Sequence, residues 1–264
     1  MPCRFSFRFS PLVLTFALAA GVTACAGNVP HDEVAPEEAV DVLYTKGADA
    51  LDRGAYKEAA KNFAEVDRQH PYSSWALRAE IMEAFSYYKD MDYDKAIRAL
   101  DQFIELHPGN ADVAYAYYLK ALCDYERIFD VKRDQAATRR ALEGLQGIVQ
   151  RFPDTEYARD ASLKIGLIRD HLAGAEMDVG RYYLKRHLYI AAIGRFKTVV
   201  DRYQTTSHVP EALERLVECY VALGMAGEAQ KNAAVLGYNF PGSDWYRDAY
   251  NLLKKKGLVS DGEK

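Results

Sequence analysis

Residues 47–71 read GADALDRGAYKEAAKNFAEVDRQHP. Gly47, Gly54, Tyr56, Ala59, Phe63 and Pro71 follow one another at steps of 7, 2, 3, 4 and 8 residues. Small and apolar residues at three- and four-residue intervals give one buried face to each of two helices. Gly54 supplies a sharp turn between them. Pro71 ends the second helix, because it lacks an N–H and clashes with the preceding turn. Small side chains at Gly47 and Ala59 let the helices approach, and Tyr56 and Phe63 fill the space between them. The stretch predicts a packed helical hairpin.

The pattern recurs. X-Pro breaks stand at HPYS (70–73), HPGN (107–110), FPDT (152–155) and FPGS (240–243), and each interval holds two helix-sized segments. A second unit keeps Ala84, Tyr87, Tyr93, Ala96 and Pro108, with Met91 where the turn glycine stood. A third aligns through Ala121, Tyr125, Ala141 and Pro153 and carries an insertion expected as a polar loop around 129–137. A fourth shows Gly180, Tyr183, Tyr189, Ala192 and Phe196, ending in Gln204. A fifth has Tyr220, Gly224, Ala229 and Pro241, with Ala233 replacing the phenylalanine. These units resemble the tetratricopeptide repeat, a helix–turn–helix module. The expected fold is all-α: a superhelical array of about five such repeats (about 40–73, 77–110, 114–155, 173–206 and 210–243) with a C-terminal capping helix at 243–256 and a tail at 257–264. Residues 157–186 contain no proline or turn cluster and predict one long helix, either a packing element or a protruding partner surface.

Composition agrees with helix, since Val and Ile together are well outnumbered by Ala and Leu. The chain has 34 Lys and Arg against 38 Asp and Glu, a net charge of −4, which argues against nucleic-acid binding, where a basic stripe is needed. Its amino terminus carries Arg4 and Arg8 without an acid, then the apolar run LVLTFALAAGV at 12–22, too short to span a bilayer. This is the pattern of a secretory signal peptide over 1–24. Val22-Thr23-Ala24-Cys25 resembles a bacterial lipobox. The resemblance implies cleavage before Cys25 and its lipidation, and several acyl chains anchor a protein stably. Ala26 follows rather than Asp, which implies the outer membrane. Residues 25–35 then form the lipidated cysteine and a polar tether, its ten residues reaching about 35 Å at most.

No nucleotide-binding, metalloprotease or nucleophile-elbow motif occurs, and the cysteines lack zinc-ligand spacing. Cys123 and Cys219 read as small buried hydrophobes, and His171 as a packed histidine. Catalysis is disfavoured, and neither a metal nor a cofactor is expected. A repeat array presents its first helices along an inner surface. Projected inward are Tyr44, Ala48 and Leu51, with Tyr72 from the connecting turn, then Arg78, Ile81, Phe85 and Tyr88, then Tyr115, Tyr118, Leu122 and Tyr125. This aromatic track suits extended peptides, although about half of it is expected to be taken up by packing between units. In the fourth and fifth units the same positions give Met177, Arg181 and Lys185, then Glu211, Glu214 and Glu218, a charged half.

A lipobox followed by about five repeats, with YTKGADALDRGAYKEAAKNFAEVDRQHPYSSWALRAEIMEAFSYYK at 44–89, resembles the BamD family, lipoprotein subunits of the outer-membrane β-barrel assembly machinery. The resemblance covers 22–256. It implies a non-enzymatic scaffold at the periplasmic face, held to the membrane by its lipid anchor. Its first repeats would receive unfolded outer-membrane protein precursors, and its last would dock on the POTRA domains of BamA. A BamC-like lipoprotein would lie along the amino-terminal half. Arg195 matches a family arginine expected to support the BamA contact; a solvated helix-face arginine is the other reading. Another repeat lipoprotein, such as a secretin pilotin or a coordinator of cell-wall synthesis, stays open, as does an enzyme with a dispersed site.

Overall fold

The computed structural model describes residues 37–128 and 135–259. The signal segment, Cys25 and the whole of the expected tether lie outside the described residues. Among those described there are eleven α-helices and no strand. They pair in order: α1 (Val40–Asp52) with α2 (Tyr56–Gln69), α3 (Ser74–Lys89) with α4 (Tyr93–Leu106), α5 (Val113–Tyr125) with α6 (Ala136–Arg151), α7 (Glu156–Lys185) with α8 (Tyr189–Arg202), and α9 (Val209–Ala222) with α10 (Ala226–Asn239), before a last helix α11 (Asp244–Lys255). The fold is an all-α helical repeat array. Most of the expected loop at 129–137 lies outside the described residues, but Ala136 and Ala137 already belong to α6.

Two turns repeat with the helices. Each second helix ends on a residue of nearly the same backbone conformation: φ/ψ is −132/53° at His70, −128/51° at His107, −131/51° at Phe152, −124/42° at Tyr203 and −135/53° at Phe240. In every case the residue three positions later donates its N–H back to that carbonyl: Ser73, Asn110, Thr155, Thr206 and Ser243. Proline follows in four of the five, its fixed φ suiting a helix stop; Gln204 stands in the fourth. Ser73, Thr155 and Ser243 then cap the next helix, accepting from the N–H of Ala76, Ala158 and Tyr246 at 3.1, 3.2 and 3.1 Å. One short motif closes a unit and opens the next.

The turn inside a unit is a left-handed one. Gly54 has φ +75°, Met91 +60°, His187 +59° and Gly224 +74°. The following N–H reaches back five residues, as in Ala55 to Ala50 and Asp92 to Tyr87, which satisfies carbonyls the helix end leaves open. Met91 and His187 adopt this conformation without being glycine.

First helices of neighbouring units touch, α1 with α3, α3 with α5, α5 with α7 and α9 with α11, so they form the inner side of the stack. The core is a series of clusters. One joins Leu43, Phe63, Val66 and Ala79, and another Ile81, Leu100, Phe103 and Leu119. The last two divide α7 between them: Ala158 to Leu172 pack with Leu145 and Ile148, while Ala173 and Met177 pack with Phe196, Leu213 and Leu216. Helix α7 therefore completes the third unit with its first half and begins the fourth with its second. Asp170, near the join, accepts from the Ser207 N–H at 3.1 Å and its hydroxyl at 2.9 Å. Cys123 and Cys219 are free and buried, and burial pushes both thiols up to about 12.

Candidate peptide-binding face

The inner face of the second to fourth units carries a chain of rings. Phe85 and Tyr88 on α3 stack at 6.2 Å and 27°, and Tyr93 lies 6.0 Å from Tyr88. On α5, Tyr115 and Tyr118 both meet Tyr157 of α7, at 5.5 and 5.3 Å. The hydroxyls are held from the neighbouring element. Tyr88 donates to Glu126 Oε1 at 3.3 Å, and Tyr118 to the Asp160 carboxylate. Burial, then these carboxylates, push both phenols above their ordinary value; burial raises Tyr115 to about 12. The rings are neutral donors throughout the physiological range. Lys164, paired with Asp160 at 2.9 Å, sits 5.5 Å from the centre of the Tyr125 ring.

The expected track divides three ways. Tyr72 and Arg78 are exposed, Tyr72 fully. Tyr44, Leu51, Phe85, Tyr88, Tyr115, Tyr118 and Tyr125 are half-buried; Tyr44 packs 5.3 Å from Phe63 and 4.8 Å from Trp75. Ile81 is not on the open face. It is 7% exposed and belongs to the core with Ala84, Leu100 and Leu119, because α5 packs across α3 at that level. Met177 and Glu214 are likewise buried.

Three aromatic residues escaped the sequence reading: Trp75, Tyr157 and Trp245. Each stands two residues after a capping Ser73, Thr155 or Ser243, and each packs back on the preceding unit: Trp75 on Tyr44, Tyr157 on Tyr115 and Tyr118, and Trp245 beneath the Arg215 guanidinium at 5.5 Å. The signal was present as Ser/Thr-x-aromatic.

The carboxy-terminal half is charged and self-paired. Arg181 makes two bonds to Glu211, at 3.1 and 3.0 Å, tying α7 to α9, and another to Asp178 at 2.5 Å. Arg215 meets Glu218 at 3.0 Å and Glu214 at 3.2 Å. Burial, helped by Glu218, Asp248 and Glu211, raises the Glu214 carboxyl to about 7 despite Arg215. Arg195 on α8 binds Glu176 on α7 at 3.1 Å. No group of His, Cys, Asp and Glu able to hold a metal occurs among the described residues, and no helix there is long and apolar enough to cross a membrane.

Comparison with known proteins gives a consistent result. The profile of the family YfiO, described as an outer membrane lipoprotein, matches residues 36–253. An outer membrane protein assembly factor BamD from Caulobacter vibrioides is 52% identical over 255 residues, covering 96% of this chain and 84% of that one. The protein of the same name from Rickettsia prowazekii is 49% identical over 224 residues (85% and 88%), and that from Neisseria meningitidis serogroup A 35% identical over 252 residues (90% and 94%). Among solved structures, the TPR2AB domain of yeast Sti1 covers 83% of this chain and 85% of its own, with a TM-score of 0.47 at 11% identity.

Proposed function

Because the chain belongs to the YfiO family of outer membrane lipoproteins, we propose that it is an outer membrane protein assembly factor whose inner aromatic face holds extended segments of unfolded β-barrel precursors. It is a scaffold and not an enzyme. The observation that carries the reading is the ring chain of Tyr88, Tyr115, Tyr118 and Tyr157, whose hydroxyls at Tyr88 and Tyr118 are already engaged by Glu126 and Asp160. The ring surfaces are left to an incoming chain, and tyrosine offers large contact area at small entropic cost. Exposed Tyr72 and Arg78 extend this surface toward the first unit.

The charged half supports docking on the POTRA domains of BamA. Arg195, fixed by Glu176, presents a guanidinium for that contact, and a BamC-like lipoprotein lies along the amino-terminal half. Cys25 is the lipidated first residue of the mature protein and holds it at the periplasmic face of the outer membrane.

Three experiments test this. Fluorescence anisotropy with a synthetic peptide of alternating aromatic and serine residues should show binding that Tyr88→Ala and Tyr118→Ala each weaken; unchanged affinity in both variants removes the aromatic face. Affinity purification from solubilised outer membrane should recover a POTRA-containing barrel protein, less of it with Arg195→Ala. Cys25→Ala should release the chain from the membrane.

A further inference from the structure

The aromatic track ends at a cavity. Helix α7 turns the stripe Tyr157, Asp160, Lys164, Leu167 and His171 toward α5, at the three- and four-residue steps of one helix face. Beyond the Lys164 contact with Tyr125, a cavity of about 320 Å³ opens between Tyr125, Glu126, Ile128, Leu167, Ile168 and His171. Leu167 of α7 lines it with most of its surface in water, at 62% exposed. Lys164 is held by Asp160, and Glu126 accepts the Tyr88 hydroxyl. His171 Nε2 is buried with no hydrogen-bond partner, Glu126 is exposed at the rim, and Tyr125, Ile128, Leu167 and Ile168 give the wall its apolar surface, against which an unpaired charge is costly to bury.

We propose that this cavity is the subsite for one bulky uncharged side chain, of the phenylalanine, tyrosine or leucine class, from the extended chain lying on the aromatic track. The inference rests on the peptide-binding reading of that track. Continuity selects the occupant: Glu126 both receives the Tyr88 hydroxyl and lines the cavity, so a chain crossing the Tyr88 and Tyr118 rings arrives at the opening. Leu167 gains cover when the site is filled, and burying a side chain of this size favours binding by about ten- to hundredfold.

The test is a fluorescence-anisotropy titration of the full-length protein with a labelled peptide of alternating phenylalanine and serine, and with a series in which one phenylalanine at a time becomes serine or lysine. One position should emerge where either replacement weakens binding about ten- to hundredfold. A Leu167→Glu variant should no longer distinguish phenylalanine from serine at that position, while discriminating normally elsewhere. Leu167 is mostly exposed, so this variant keeps the fold, which circular dichroism checks; Leu167→Ser gives a neutral second variant. If Leu167→Glu discriminates at every position as the unaltered chain does, or if lysine binds there better than phenylalanine, the subsite is wrong, while a loss of affinity in Tyr118→Ala leaves the track standing. If no peptide binds and Tyr118→Ala changes nothing, the track itself fails and the subsite with it.

Discussion

Phe63 of α2 packs so closely on Gly47 of α1 that a Cβ placed on the glycine would stand 2.7 Å from Phe63 Cε1. Phe196 and Gly180 repeat the relationship in the fourth unit at the same sixteen-residue separation. The second unit replaces the pair by Ala84 and Leu100, and the fifth by Val217 and Ala233. Small opposite large is kept or reversed, so each hairpin closes at its own spacing.

Gly47→Ala and Gly180→Ala should therefore destabilise the protein, by about 1–3 kcal/mol each through overpacking, although alanine is the better helix former by about 1 kcal/mol. Gly194 on α8 meets nothing within 4 Å, so Gly194→Ala should shift stability the other way. Urea denaturation of the three variants decides. Stabilisation by all three would mean that the phenylalanine rings move aside freely.

Met91 and His187 pay a backbone cost that Gly54 and Gly224 avoid at the equivalent turn. Met91→Gly should raise stability by about 1 kcal/mol, because Met91 is 73% exposed and gives up little packing. Gly54→Ala should lower it by a similar amount. A drop in midpoint for Met91→Gly would show that the methionine side chain contributes more than its turn conformation costs.

The hairpins were legible because their punctuation is chemical. Proline cannot continue a helix past its first turn, and a turn with positive φ favours glycine, so Pro71, Pro108, Pro153, Pro241, Gly54 and Gly224 marked the array directly. The long helix was legible from the absence of such residues, and α7 runs unbroken from Glu156 to Lys185. The inner face was harder. Projection along one helix cannot say which residues the next first helix will cover, so Ile81, Met177 and Glu214 were expected on an open groove and are buried. Tyr157 was missed for the converse reason: it joins the track only because α7 packs beside α5.

Glu214 gives a pH dependence with a definite sign. Its carboxyl sits at about 7 in the folded chain against an ordinary value of 4.5, so the folded state holds its proton more tightly. The contribution of this group to stability is most unfavourable above pH 7, improves as pH falls through 7, and is recovered fully below about 4.5. Glu214→Gln should stabilise the protein at pH 8 by on the order of 2 kcal/mol, and by progressively less toward pH 5. Half-buried Glu80 and Glu83 are raised too, so the comparison is between variant and parent in urea titrations at each pH. An equal difference at pH 8 and pH 5 would show that the carboxyl does not titrate in this range.

Asp160 is a positioning residue for Tyr118. Its carboxylate accepts the Tyr118 hydroxyl and pairs with Lys164, which together hold it below the ordinary aspartate range. Tyr118→Phe and Asp160→Asn remove or weaken one bond from opposite ends, so their effects on peptide affinity should not add. Each should cost several-fold in affinity, about 0.5–1.5 kcal/mol for a hydrogen bond of this kind, and the double variant should lose no more than the larger single loss. Melting temperatures should change little, because both groups border solvent. Additive losses in the anisotropy titration would mean that Asp160 acts on the peptide directly or through Lys164, and not by fixing the ring of Tyr118.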